Sequence, residues 1–189
     1  MRPQIRARGE SRAPARPFHP GNSLPPEALV RSPNNNRYFL AGVLLLAIFL
    51  VQLLAPWRWP WLTTLQANDA YKQLSGFLLL AFVAYQWRFS VRRATGQTAN
   101  LPALIKRHKS LGALAPLFFY VHSQGVGYSY TVALSTVFFA VFLTGLANRE
   151  ITRIASPWFQ PLWITLHVGL SSALLCLMGY HLYISYAFE

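Results

Sequence analysis

Four of the five histidines in this 189-residue chain form two pairs of equal spacing, His108 with His122 and His167 with His181, each fourteen residues apart. On an α-helix fourteen residues make close to four turns, so both imidazoles of a pair project from nearly one face, about 21 Å apart along the axis. If the two helices run parallel, His108 comes level with His167 and His122 with His181. Two imidazoles facing each other at one level make a bis-histidine site. Neutral imidazole nitrogen between apolar helix walls is an axial ligand for haem iron, so the expected content is two stacked haem b groups held by these four residues. The same faces carry Gly112, Ala115 and Phe119 on one helix and Ser171, Leu174 and Met178 on the other. The small side chains at Gly112 and Ala115 leave room for a macrocycle, or equally for close helix packing.

Two other chemistries suit buried histidines. Each imidazole can make one interhelical hydrogen bond with no cofactor, or the set can pass a metal ion across a membrane. An ion pathway usually recruits carboxylates near the midplane as well. Asp69, Glu150 and Glu189 instead stand at span ends or in connections. His19, the fifth histidine, is expected to be solvated. Cys176 is the single cysteine and lies in an apolar stretch, so no Cys-x-x-Cys-His attachment exists and any haem is held noncovalently.

The elements that must carry these residues are membrane helices. The chain is 53% hydrophobic and 12% charged, where a soluble domain has about a quarter charged residues. Apolar runs are expected to span a bilayer at Tyr38 to Ala55, Tyr71 to Phe89, Ser110 to Gln124, Ser129 to Ala147 and Pro161 to Tyr186. The third reaches further only if His108 marks its start. Tryptophans 57, 59, 61, 87, 158 and 163 cluster at the ends, as interfacial rings should. Residues 1–36 carry scattered arginines among Pro, Ser and Asn without apolar periodicity, and are expected to form a disordered basic cytoplasmic tail. The fold class is therefore an all-α membrane bundle of five transmembrane helices over residues 37–189.

Cation placement orients the bundle. Seven basic residues lie in the tail with Arg37, six in the 88–109 connection and two in the 148–157 connection, against only Arg58 and Lys72 on the other side. The N-terminus is thus expected in the cytoplasm and the C-terminus outside, with the third and fifth spans parallel. The formal charge of +12 follows from the same segments, where topology accounts for it and no nucleic-acid partner is needed. Arg107, Lys109 and Arg153 are level with the inner haem and suited to its propionates; Arg58 or Lys72 could serve the outer one. Topogenic charge alone accounts for these cations at least as well. Tyr128, Tyr130, Tyr180 and Tyr183 lie near the outer face, as interfacial anchors or the lining of an acceptor site.

The stretch Arg107-His108-Lys109-Ser110-Leu111-Gly112, with His122 ten residues on, then Trp163-Ile164-Thr165-Leu166-His167 and Gly179-Tyr180-His181, resembles the ferric reductase-like transmembrane domain, a di-haem membrane cytochrome b superfamily. Respiratory cytochrome b subunits share almost the same histidine spacing. The resemblance spans roughly residues 71–186 and implies that His108 and His167 ligate the inner haem, His122 and His181 the outer one. It further implies electron flow from the cytoplasmic face outward, across a bacterial inner membrane, to a periplasmic acceptor. Members of that family usually have six spans, and their flavoprotein branch adds an FAD and NADPH domain. No Gly-rich nucleotide loop occurs here, so the expected donor is separate: a flavoprotein, a reduced flavin or a quinol. The remaining alternatives are a quinone-reacting cytochrome b anchor subunit of a dehydrogenase, and a cofactor-free membrane protein for assembly or metal transport.

Overall fold

The computed structural model describes residues 33–188 except 56, 57, 98, 153 and 155, with side chains from 37 onward other than those of 149 and 150. The expected tail up to residue 32, with His19, lies outside the described residues, as do Trp57 and Arg153. Eight helices and no strand occur among the described residues: α1 Pro33–Leu54, α2 Pro60–Ala67, α3 Asp69–Ala94, α4 Leu101–Gly112, α5 Ala115–His122, α6 Tyr130–Leu146, α7 Arg149–Thr152 and α8 Phe159–Ala187. α1 is described from Pro33 onward. The helix therefore takes in the last four residues that composition assigns to the tail.

Local chemistry sets the other ends. Asn68 caps α3 by accepting from the Tyr71 amide at 3.1 Å. The same helix stops at Gly96, whose φ of 71° lets Gln97 N donate to Arg92 O at 2.9 Å and Gly96 N to Arg93 O at 3.3 Å. The third expected span begins earlier than the apolar run suggests, at Leu101, and is broken into α4 and α5 by Ala113 and Leu114. Pro116 is the cause. It has no N–H to offer the Gly112 carbonyl, and its ring would collide with that carbonyl in a straight helix. The chain responds with tighter three-residue bonds, Leu114 N to Leu111 O at 2.9 Å and Leu117 N to Leu114 O at 3.0 Å.

Among the described residues three helices are long and apolar enough to cross a membrane: α1 from Arg37, α3 and α8. The fourth expected span is the shorter apolar α6, 17 residues long. On α1 the outward face is apolar and the inward face partly polar. Leu40, Leu44, Ile48, Val51 and Leu54 are 57–84% exposed while Gln52 is buried. Such a stripe would be a large hydrophobic patch in water and matches a lipid surround.

The core lies where the helices converge: Phe49 of α1, Leu79 and Val83 of α3, Ala115 and Phe119 of α5, Phe138 and Phe142 of α6, Leu174 and Met178 of α8. Phe119 sits centrally, edge-on to Phe49 at 5.5 Å and tilted against Phe138 at 5.3 Å and Phe139 at 4.8 Å. The close backbone packing of α8 is along α6, whereas α5 packs on α3 and α1.

The C-terminal end of α5 is tied down by side chains. Gln66 donates to the carbonyls of Tyr120 at 2.9 Å and Val121 at 3.1 Å, and the Tyr71 hydroxyl also reaches Val121 O at 3.0 Å. Buried Gln124 joins Gln66 Oε1 and Thr63 Oγ1, each at 3.2 Å, and accepts from Gln52 at 3.3 Å. Carbonyls at a helix end have no intrahelical partner, so this network of amides satisfies them at the turn that carries His122.

Candidate metal centre

His108 projects from α4, His122 ends α5, and His167 and His181 stand on α8. The two cross-helix pairs expected from the spacing are formed. His108 and His167 have ring centres 6.3 Å apart at 88°, and His122 and His181 have theirs 6.4 Å apart at 79°. All four rings are half-buried. One metal between two imidazoles implies a ring separation that can be worked out: a metal–nitrogen bond of about 2.0 Å on each side, plus about 1.1 Å from each nitrogen to its ring centre, gives roughly 6.2 Å. Both pairs stand close to that separation, which is also within the range of an edge-to-face ring contact.

The hydroxyl partners decide which nitrogen is available. Thr144 of α6 lies 2.9 Å from His167 Nδ1 and its hydroxyl also donates to the Ala140 and Val141 carbonyls, both at 2.9 Å. A threonine has one hydroxyl proton. With that proton on a backbone carbonyl, Thr144 Oγ1 accepts from His167 Nδ1–H, which leaves Nε2 with a bare lone pair. Ser75 of α3 repeats the device: its hydroxyl donates to Lys72 O at 3.2 Å and stands 3.1 Å from His122 Nδ1. His181 Nδ1 has the Tyr130 hydroxyl at 3.2 Å. In these three rings the hydroxyl stands at Nδ1 and not at Nε2. A donor hydrogen bond from the non-ligating nitrogen is what fixes a metal-binding histidine in orientation and tautomer.

Two glycines make this possible sterically. A Cβ at Gly76 would stand 3.3 Å from His122 Cε1, and one at Gly145 would stand 3.3 Å from His167 Cε1. Each follows directly on the hydroxyl residue, as Ser75-Gly76 on α3 and Thr144-Gly145 on α6. One residue supplies the hydrogen bond and the next the room for the ring edge. Trp163 adds a third contact, stacking on His167 at 5.7 Å and 4° while its indole N–H donates to Thr144 O at 2.7 Å. Phe89 lies 5.3 Å from the His108 ring.

The remaining expected site residues are distributed differently. Ala115 is buried in the core between the two histidine levels, beside Phe119, Leu174 and Met178. Gly112 faces α3, where a Cβ would meet Gln86 Nε2 at 3.1 Å, so its small size serves a glutamine. Arg107 is exposed and, with His108, lines a small cavity; Lys109 is half-buried on the same turn. Arg58 is exposed, and Lys72 pairs with Asp69 at 2.9 Å. Tyr128 is 84% exposed, whereas Tyr130 turns inward to His181 with Tyr180 edge-on to it at 5.2 Å. Trp59, Trp61 and Trp158 are exposed near helix ends, but Trp163 is an imidazole contact and only secondarily an anchor.

Ser75, Thr144, Gly76, Gly145, Trp163 and Gln86 do not stand out in the sequence as parts of a site. The repeated hydroxyl–glycine dipeptide is the signal that could have found four of them. Among the described residues no group of three or more His, Cys, Asp or Glu side chains converges. Two protein nitrogens at each level suit axial ligation of a macrocyclic metal, while a tetrahedral protein-only site requires four ligands. Compared with family models, with curated proteins and with solved structures, the chain returns no match.

Proposed function

We propose that this chain is a membrane cytochrome b: a five-span bundle in which His108 with His167, and His122 with His181, each hold one haem b, and through which electrons cross the bilayer. The observation that carries this reading is the pair of ring separations, 6.3 and 6.4 Å, each fitting one metal between two imidazoles. When bound, haem iron supplies one-electron redox chemistry. The chain's own residues do the rest. Thr144 and Ser75 hold His167 and His122 in the tautomer whose Nε2 can ligate. Ala115, Phe119, Leu174 and Met178 fill the level between the pairs and keep it dry. Arg107, exposed beside His108, offers positive charge at the first level.

In this reading α4 with α5 is the third span and α6 the fourth. The cation distribution supports a cytoplasmic N-terminus, and the resemblance makes the opposite face, towards His181, the periplasmic side of a bacterial inner membrane. The donor is a separate flavoprotein, reduced flavin or quinol, and the acceptor is periplasmic. The resemblance to the ferric reductase-like domain supports the same direction of flow. One observation is compatible with a second reading, a quinone-reacting anchor subunit: a shallow, open apolar depression lined by Phe77, Leu182, Tyr183, Tyr186 and Ala187 adjoins the His181 turn.

A dithionite-reduced minus oxidised spectrum of the purified protein, with haem and protein quantified on one sample, tests the proposal. Two b haems per chain are expected. None, after expression with ample haem, would sink it. Reduction by quinol analogues at a rate that Tyr183→Ala abolishes would favour the second reading.

A further inference from the structure

Tyr130 and Thr144 stand fourteen residues apart on α6, the interval that separates His167 from His181 on α8. The two helices run antiparallel, so each of these residues falls opposite one imidazole: Thr144 Oγ1 is 2.9 Å from His167 Nδ1 and Tyr130 Oη 3.2 Å from His181 Nδ1. On α3, Ser75 and Phe89 repeat the interval opposite His122 and His108. The His108 ring has its hydrogen-bond interaction with the Gln86 backbone. Two imidazoles therefore meet an alcohol, and one, His181, meets a phenol.

The difference is chemical. The hydroxyls of Thr144 and Ser75 donate to carbonyls of their own helices, Ala140 and Val141 for the first and Lys72 for the second, and are left as acceptors. The hydroxyl of Tyr130 stands at the far end of a ring and does not turn back on its own helix. Its proton is uncommitted, so it can donate to His181 Nδ1 or accept from Nδ1–H.

The backbone aims this ring. Tyr130 is the third residue of a tight turn closed by Thr131 N to Tyr128 O at 3.1 Å, with Ser129 second at φ 53° and ψ −128°. That conformation is favoured by glycine, and a serine held in it is strained. Thr131 secures the turn, accepting from Tyr128 N at 2.8 Å and donating to Tyr128 O, and buried Ser135 donates to Val126 O at 3.0 Å. Tyr128 is left exposed, while the Tyr130 ring lies 5.9 Å from the His181 ring and 5.2 Å from Tyr180.

We infer that Tyr130 is the positioning residue of His181 and, through that ring, sets the redox potential of the centre that His181 shares with His122. The inference rests on the di-haem reading. With a metal on His181 Nε2 the ring keeps its proton on Nδ1, and the phenol oxygen accepts a hydrogen bond from it. Without one, the phenol donates to Nδ1 as readily and leaves Nε2 protonated. His122 and His167 are thus held beforehand in the tautomer that ligates, whereas His181 takes it up on binding. An acceptor on Nδ1–H makes the imidazole a stronger donor to iron and favours the oxidised form.

The test is a redox titration of the full-length protein purified with its haem, for the wild type, Tyr130→Phe, Tyr180→Phe and His181→Ala, with haem per chain measured on every sample. His181→Ala identifies the component that belongs to His181. In Tyr130→Phe, which keeps the ring and loses the acceptor, that component is expected to shift about tenfold towards the reduced form, about 59 mV for one electron, while the other stays in place. Tyr180→Phe, which removes the neighbouring phenol, is expected to move neither. Both haems present and neither component moved in Tyr130→Phe, or an equal shift in Tyr180→Phe, would overturn the inference and leave the di-haem reading standing. A wild type without haem overturns that reading, and the inference with it. If Tyr130→Phe does not hold haem, a high-resolution map of the haem-loaded wild type decides: a phenol oxygen within hydrogen-bond reach of His181 Nδ1 supports the assignment, and a phenol turned away from that ring overturns it.

Discussion

His122 and His181 face each other with ring centres 6.4 Å apart and planes at 79°, although one ends a short helix broken off by a proline and the other stands within an unbroken helix of 29 residues. The His108 and His167 rings repeat the relation at 6.3 Å and 88°. Two independent pairs converge on one separation across helices whose main packing partners differ. Packing alone does not require that coincidence. The proposed ligation of one metal at each level would account for it.

The pairing predicts which losses coincide. His108→Ala and His167→Ala are expected to remove the same one of two haem components, and His122→Ala and His181→Ala the other. Redox titration with optical detection resolves them. If His108→Ala and His181→Ala deleted an identical component, the cross-helix pairing would be wrong.

Removing a hydroxyl without changing shape tests the tautomer argument. Thr144→Val keeps the packing and takes away the acceptor for His167 Nδ1. Loss of such a partner weakens metal retention by about 10- to 100-fold. Haem transfer from the variant to an apo-globin acceptor should accelerate accordingly, with Ser75→Ala doing the same at the other pair. Unchanged transfer rates in both would show the hydroxyls to be incidental.

Glycine substitutions separate room for a ring from helix propensity. At Gly145 a side chain meets His167 Cε1, whereas at Gly169 nothing stands within 4 Å of the place a Cβ would take. Gly145→Leu is therefore expected to leave about one haem b per chain, and Gly169→Leu two. Equal haem content in the two variants would remove the steric role assigned to Gly145.

The amide network at the end of α5 should matter for stability more than for spectra. Gln124→Leu strands the Gln52, Thr63 and Gln66 groups that now bond to Gln124, itself only 4% exposed. The expected cost is about 2 kcal/mol, read as a lower unfolding midpoint in detergent. A midpoint equal to that of the wild type would mean water satisfies those groups in its place.

The fold and the centre are legible in the sequence to different depths. Long apolar runs are one-dimensional signals, because a helix that faces lipid must be apolar over its whole length. The runs around α1, α3, α6 and α8 are therefore visible, with boundaries a few residues short. The break at Ala113 and Leu114 is signalled by Pro116, but the equal histidine spacing invites a straight helix instead. The histidines themselves are visible for the same reason as the runs: a polar ring in an apolar span stands out, and fourteen residues return it to one face.

Read along the chain, the residues specify an all-helical apolar protein with four imidazoles at two matched intervals. Which imidazoles meet, at what separation and with which hydroxyl beside Nδ1 follows from the packing of the helices. Those properties depend on Thr144, Ser75 and Tyr130 reaching Nδ1 from helices other than the histidine's own. Hydrogen bonds between distant segments act over about 3 Å, and periodicity along one helix carries no information on which neighbour will stand that close. Gly112 shows the difference most clearly. Its spacing placed it on the histidine face, but the packing of α3 against α4 gave its missing side chain to Gln86.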